Sequence, residues 1–522
     1  MKVLSSSKLN EYVARFNTDD DEMYVQSISN SKAAGFLSEN IPFFECPDNN
    51  LERTYYFRWW IYRKHIKETP HGYIITEFLP DVTWGGPFNA ISCAGSFHFM
   101  EGRWLKDTRY LRDYGNFWLR HAGTCDFDSA QNFKGNKWVQ AFGFPISYGL
   151  LQFHMVHPCR DYLVDLLEEL IVNYEELKAK RFTETGLYFS LDGGLLGDGM
   201  EYGISGAGVR PSANSYQYSQ AKAISKIAAM KGDDELSARY EKESEVIAKN
   251  IMALLWDDQA KFFKTIRKDD ISTGKLADAR ELIGYIPWFY GIPDKGKGYE
   301  EAWKQVVDVD GFCAQYGLTT AEQRHPDFKI SYTGHDCFWD GPVWPYATSQ
   351  TLVAMANVLR DYPQNMISRK DYFNVLMCYA RSHEIELAGG RVVPWIDENQ
   401  HPFTGEWIAR AVHEASDSGY WSEIPERGKD YNHSSFNDLI ITGLVGLRPR
   451  GDDTVVIDPL LSESTWEYFC LDKVPYHGRE LTIVWDRTGL IYNKGTGLSL
   501  FADGRKIAGS KTLSKISGNL GQ

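Results

Sequence analysis

Two acidic loops carry the strongest chemical signals in this chain. Asp198 and Glu201 lie in GDGMEYGISGAGVRPSANSYQY, residues 197–218, just ahead of a helix that begins near Ser212. Glycines permit the tight turns that hold a carboxylate at a cavity mouth; a carboxylate in this place can equally serve the helix N-terminus that follows. Asp397 and Glu398 occur in WIDENQHPFTGEW, residues 395–407, before a Pro-Phe-Thr-Gly turn. Such turns display side chains, although a solvated acidic loop has the same pattern. A third segment, SYTGHDCFWDGPVWPYATSQTL at 331–352, gathers Trp339, Asp340 and Trp344, with Pro342 placed to open the next helix. It reads as a pocket wall with a polar anchor or as aromatic packing at a helix start. Residues 419–438 crowd Glu423, Glu426, Arg427, Lys429, Asp430, His433 and Asn437 together, which suits hydroxyl binding or a salt-bridged loop. Trp84 stands in DVTWGGPFN. Two carboxyls in unlike surroundings can divide proton donation from proton abstraction, and loops rich in Trp and Tyr raise the pKa of one of them.

Other chemistries find little support. The chain has no HExxH, and His98, His335-Asp336 and His433 lack zinc-like spacing, so no metal and no cofactor are expected. GxSxG occurs in no strand-to-helix context. The Gly-rich 203–208 stretch lacks the GK[ST] of a phosphate loop. With 56 Lys plus Arg against 70 Asp plus Glu, the net charge is -14, so neither nucleic acid nor an anionic membrane is an expected partner. The 16 Trp, 30 Tyr and 28 Phe offer flat faces for sugar rings or apolar ligands, or simply fill a large helical core. The eight cysteines are scattered singly, which favours free thiols. No signal-peptide pattern or long apolar run is present, so a soluble, cytoplasmic chain is expected. The sequence leaves a homo-oligomer open.

The elements that must position these loops are mainly helical. Residues 156–180 carry Leu163, Leu166, Leu167, Leu170 and Ile171 on one stripe. Residues 213–231 and 234–255 form a pair parted by Gly232-Asp233, and further helices are expected at 52–66, 87–101, 108–121, 342–360, 369–388 and 434–446. Long loops at 185–212, 308–341 and 395–433 lie between them, and long ordered loops on a helical scaffold carry function. After about 448, RPRGDDTVVIDPL, RELTIVWDRTGLIYN and GLSLFADGRKIAG read as short alternating strands. The expectation is an all-α (α/α)6 toroid at 51–447, an N-terminal extension at 1–50 packed on it, and a small β-sandwich-like module at 448–522.

Taken in order, several segments resemble the six-hairpin glycosidases of glycoside hydrolase families 63 and 37, a group with mannosylglycerate hydrolases, α-glucosidases and trehalases. GDGMEYG followed by NSYQY is similar to the loop holding their catalytic acid. IAKNIMALLWDDQAKFF (247–263), AQYGLTTAEQRHPDF (314–328) and FWDGPVWP (338–345) resemble their successive signatures. ENQHPFTG (398–405) looks like the segment with their catalytic base, and SSFNDLIITGL (434–444) like the helix after it. The matches span roughly 200–445. The resemblance implies an exo-acting, inverting glycosidase with Glu201 as general acid and Glu398 as general base. Trp84, Asp198, Trp339, Asp340, Trp344, Arg427 and His433 then serve an oligosaccharide or glycoside substrate. A glycoside phosphorylase or a non-catalytic carbohydrate-binding relative are the alternatives. One departure stands out: the families usually have Asp at the acid position, and the extra methylene of Glu201 changes reach by about 1.5 Å, which keeps Asp198 in view as the acid. The families' large N-terminal β-sandwich has no counterpart in residues 1–50.

Overall fold

A computed structural model describes residues 3–123, 137–140, 142–192, 197–333, 337–414 and 426–521. The organising element is the helix Asn49–Lys64. Asp48 caps it by accepting from the Leu51 amide at 2.9 Å. From Thr54 to Lys64 every residue is buried, and a helix apolar on all sides belongs in the interior. Its charges are met by partners rather than by water. Arg58 donates to Ser434 Oγ at 2.9 Å and to the Ser434 carbonyl at 3.2 Å; Arg63 donates to Asn30 Oδ1 at 2.9 Å.

Other helices pack around it in sequence. Asn49–Lys64 touches Arg369–Arg381, which packs on Pro345–Asp361, and that helix meets the short Ile286–Phe289 turn. Pro211–Lys231, Ile146–His154, Gly95–Gly102 and Phe436–Asp438 follow in the same manner, and the last touches Asn49–Lys64 again. The expected pair at 213–231 and 234–255 forms as Pro211–Lys231 and Asp234–Leu254. Gly232 turns the chain at φ 86, and Asp233 accepts from the Leu236 amide at 3.0 Å.

Several expected helices end early or break. The 156–180 stretch divides at Leu166 into Arg160–Asp165 and Leu167–Arg181. The 87–101 stretch keeps only Gly95–Gly102, because Phe88 and Asn89 take left-handed backbone at φ 60 and 68. The helix expected over 369–388 stops at Arg381, and Glu384–Leu387 pairs instead with Arg391–Pro394. Pro345, not Pro342, opens the next helix, with Trp344 as its cap. Helices Ser7–Thr18, Asn30–Asn40 and Ile146–His154 were not anticipated.

The C-terminal strands form two antiparallel groups. A five-stranded sheet runs in the order Phe43–Glu45, Tyr468–Tyr476, Arg479–Asp486, Gly497–Ala502, Arg505–Ser510. Its first strand comes from the N-terminal segment, with Phe44 opposite Leu471. Asp472 then accepts from the Val3 and Leu4 amides at 2.8 and 2.9 Å. A second sheet joins Leu447–Arg448, Thr454–Ile457 and Ile516–Asn519. Among the described residues, no helix is long and apolar enough to cross a membrane.

The start of the Phe436–Asp438 helix is anchored by buried charge. Glu101 accepts from the amides of Asn437 and Asp438, both at 2.9 Å. Asp438 in turn accepts from Arg103 Nη2 and Trp104 Nε1, both at 2.7 Å. Burial, only partly offset by Arg58, pushes the Glu101 carboxyl from 4.5 up to about 7. Between those values the folded chain keeps a proton that the unfolded chain has lost. Stability from this group is therefore present below pH 4.5 and is lost as pH rises toward 7, by roughly 3 kcal/mol. Urea unfolding across that window should show wild-type stability falling relative to Glu101→Gln; parallel pH profiles would refute the assignment.

Candidate active site

The Gly-rich acidic loop is built on Asp198. Its carboxylate is buried, accepts from the Met200 amide at 3.1 Å and from Ser212 Oγ, and pairs with Arg210 Nε at 3.0 Å. Arg210 also donates to the Met200 carbonyl at 2.9 Å. Asp198 thus ties both ends of its loop to the start of the Pro211–Lys231 helix. Glu201 stands beyond it, half-buried. Gly199, at φ 80, lets the backbone approach Cys93; a Cβ there would meet Cys93 Cβ at 3.1 Å.

The second acidic segment is held by the third. Gln400 and Val343 exchange backbone hydrogen bonds, both at 2.9 Å, which ties ENQHPFTG to FWDGPVW. Asp397 and Glu398 are both buried, and Asp397 Oδ1 accepts from the Glu398 amide at 2.9 Å. Burial pushes the Asp397 carboxyl up, against the pull of Arg410. Arg427 Nη2 donates to Glu398 Oε1. The same guanidinium lies over the rings of Trp84 at 5.2 Å and Phe78 at 5.7 Å. Glu398, Arg427 and Trp84 therefore form one unit, as their candidate roles require.

Between the two acidic segments sits a carboxylate that sequence reasoning missed. Glu77 follows the strand Gly72–Ile75 as a single acidic residue, with no spacing signal to mark it. It meets His433 Nδ1 at 3.0 Å and accepts from the Cys93 thiol at 3.6 Å; the Tyr431 hydroxyl lies 2.6 Å from the same His433 nitrogen. Burial pushes the Glu77 carboxyl up, but His433 and Tyr431 more than offset this, and it settles below its ordinary value. This group joins both candidate catalytic residues. Burial, then Glu77 and Glu201, raise the Cys93 thiol well above its usual range. Burial, then Glu77 and Glu398, do the same to the Tyr431 hydroxyl.

The tryptophans complete the wall. Trp339 stacks on Trp344 at 4.3 Å, the ring of Tyr346 stands 5.9 Å from Trp339, and His433 packs on Tyr346 at 3.9 Å. Trp344 Nε1 donates to the Phe338 carbonyl at 2.8 Å. The buried Trp339 Nε1 and His433 Nε2 have no hydrogen-bond partner. Asp340 stands somewhat apart. One oxygen lies 3.2 Å from Lys329 Nζ, the other has no hydrogen-bond partner, and burial raises the carboxyl despite that lysine. Glu423 lies outside the described residues.

Among the described residues, one group has metal-ligand chemistry: Glu77, Cys93 and His433, with donor atoms within 4.8 Å of one another. These atoms already satisfy each other. Glu77 uses one oxygen on His433 and the other on Cys93, and Tyr431 meets the imidazole nitrogen that a cation would need.

A helical body whose loops converge on buried carboxylates, arginine and tryptophan is a carbohydrate-enzyme architecture, and comparison with known proteins agrees. Residues 87–434 match the family described as the mannosylglycerate hydrolase MGH1-like glycoside hydrolase domain. The chain belongs to that family, in keeping with the resemblance read from its motifs. Residues 447–508 match the glycosyl hydrolase family 65 C-terminal domain. Among solved structures, the chain is similar to a protein described as a sialidase, with 40% identity and a TM-score of 0.89 over 99% of this chain. It spans 45% of that protein's length. More distant likenesses concern the fold alone. A GH78 family rhamnosidase of Bacillus sp. GL1 is 10% identical, with a TM-score of 0.53 over 85% of this chain and 40% of that one. An α-L-rhamnosidase from Dictyoglumus thermophilum is 12% identical, with a TM-score of 0.51 over 91% of this chain and 45% of that one.

The ion pair beneath the acid loop yields a stability test. Asp198→Ala leaves the buried Arg210 with Asp192 at 3.3 Å as its remaining carboxylate partner. Breaking a buried pair from one side costs about 3–5 kcal/mol, so the urea midpoint should fall sharply. A loss below about 1 kcal/mol would mean that the pair is solvated rather than structural.

Proposed function

We propose that this chain is an exo-acting, inverting glycosidase. Glu201 protonates the departing glycosidic oxygen, and Glu398 activates the water that attacks the sugar from the opposite face. The observation that carries the reading is the convergence of both residues on the Glu77–Cys93–Tyr431–His433 group, although they lie on separate loops far apart in sequence. An inverting pair needs such separate supports, because the carboxyls must stand about 6.5–9.5 Å apart to admit water. Arg427 donates to Glu398 and so orients the base, while the aromatic surroundings favour a protonated acid at Glu201.

Trp84, Trp339 and Trp344 provide the apolar sugar platform, and Asp340, Arg427 and His433 the polar contacts to hydroxyls. Asp198 serves by holding the acid loop. The catalytic unit is a closed (α/α)6 toroid over 51–447, a reading supported by the order of helix neighbours that returns to Asn49–Lys64. Residues 1–50 and 448–522 act as a brace on that ring.

The two carboxylate roles separate by leaving-group chemistry. On unactivated glycosides, Glu201→Gln should lose about two to four orders of magnitude in kcat. It should retain far more activity on glycosyl fluorides or nitrophenyl glycosides, whose leaving groups need little protonation. Glu398→Gln should be crippled on both, since water must be activated in every case. Proton NMR of the first-formed sugar should show the inverted anomer; a retained anomer would make Glu398 a nucleophile. An aryl glycoside panel with no turnover, coupled with sugar binding by calorimetry, would replace the enzyme reading with a binding one.

A further inference from the structure

The loop 426–433 supplies both Arg427 and His433, and its backbone is unusual. Glu426 and Asp430 both adopt left-handed conformations, at φ 57 and 62. Non-glycine residues in that region cost of order 1 kcal/mol or more and persist only where the surroundings enforce them. Gly428 lies against Asp397; a Cβ there would fall 1.7 Å from Asp397 Oδ1. The loop is therefore pressed onto the segment that carries Glu398. It is also hydrogen-bonded to that segment and to Glu77, through Asp430 N to the Ile396 carbonyl at 3.0 Å and Asn432 N to the Glu77 carbonyl at 3.1 Å.

What enforces this shape comes from the far end of the sequence. Lys64, the last residue of the Asn49–Lys64 helix, reaches Asp430 Oδ2 at 2.5 Å and Asp20 Oδ1 at 2.9 Å. The Lys64, Asp430 and Asp20 side chains are 2%, 3% and 5% exposed, so the triad is fully withdrawn from water. Lys64 also lies over the Trp60 ring at 4.4 Å. His65 Nε2 meets the Asp430 carbonyl at 2.8 Å. Asp20 is fixed by Asn30 Nδ2 at 2.7 Å and lies 3.4 Å from Lys429 Nζ.

We infer that Lys64, seconded by Asp20, is a positioning residue for the active site. It holds Asp430 in its left-handed backbone and so sets the loop that places Arg427 on Glu398 and His433 on Glu77. The N-terminal segment thus belongs to the catalytic apparatus without touching substrate. This inference rests on the glycosidase reading for its kinetic consequence, but not for its structural one.

Hydrogen–deuterium exchange tests the structural part in the full chain. Lys64→Met should speed exchange at 426–433 about tenfold or more, as expected when a local anchor is lost, and leave the Pro211–Lys231 helix unchanged. Lys64→Arg, which keeps the charge, should recover most of the protection. Asp20→Asn is the milder variant and should act in the same direction. Unchanged exchange at 426–433 in Lys64→Met and Asp20→Asn overturns the inference, and so does equal acceleration in Pro211–Lys231, which would mean general loosening. On a glycoside that the wild type turns over, Lys64→Met should lose about 100-fold in kcat, the scale of a misplaced catalytic group, with KM little changed. A loosened loop with unaltered kcat also overturns the inference. If the wild type turns over no glycoside, the functional reading fails, while exchange still decides whether Lys64 holds the loop.

Discussion

A carboxylate withdrawn from water must be met by a cation or by hydrogen-bond donors, and meeting that requirement shapes this molecule around its site. Asp198 has Arg210, Glu398 has Arg427, Asp438 has Arg103, Asp430 has Lys64, and Glu77 has His433. Each pair joins segments distant in sequence, so satisfying the charges also fixes the loops relative to the helices. Glu101 marks what happens otherwise. Its donors are backbone amides, Arg58 acts on it only as a nearby charge, and its carboxyl rises to about 7. Buried pairs of this kind add little net stability over apolar packing, yet lose much when one partner is removed. Their contribution is to geometry.

That geometry explains the division of labour between helices and loops. The helices are interchangeable apolar supports, whereas each loop ends in a charge with one correct partner. Glu201 is reached from the Pro211–Lys231 side and Glu398 from the sheet-like contact of Val343 with Gln400. The Glu77 group lies between them and is shared by both. A site assembled from several separate chain segments can hold two carboxyls in different surroundings, which is what acid–base work on one bond requires.

Much of this was legible in the sequence. The helix pair at 211–254 was clear because its apolar period is long and a Gly-Asp step separates the halves. Asp198, Glu201, Glu398, Arg427 and His433 stood out because they cluster with glycine, proline and tryptophan in recognisable order. Glu77 did not. It is an isolated acid after a short strand, and its significance arises only when the chain brings Cys93, Tyr431 and His433 around it. The same holds for Phe88 and Asn89, whose left-handed backbone breaks a helix that periodicity alone extends. The strand Phe43–Glu45 was invisible because its partner lies more than 400 residues away in the chain.

That strand has a consequence for how the protein comes into being. Phe44 cannot find Leu471 until almost the whole chain has left the ribosome. At 5–20 residues per second, the two apolar rings at Phe43 and Phe44 wait roughly 20–90 s for the strand that covers them. Throughout synthesis the beginning of the chain is an open sheet edge, the kind of surface that recruits other nascent chains. The last strands to be made therefore close the molecule at its first residues, and a ribosome that stops short of them releases a body with its seam undone.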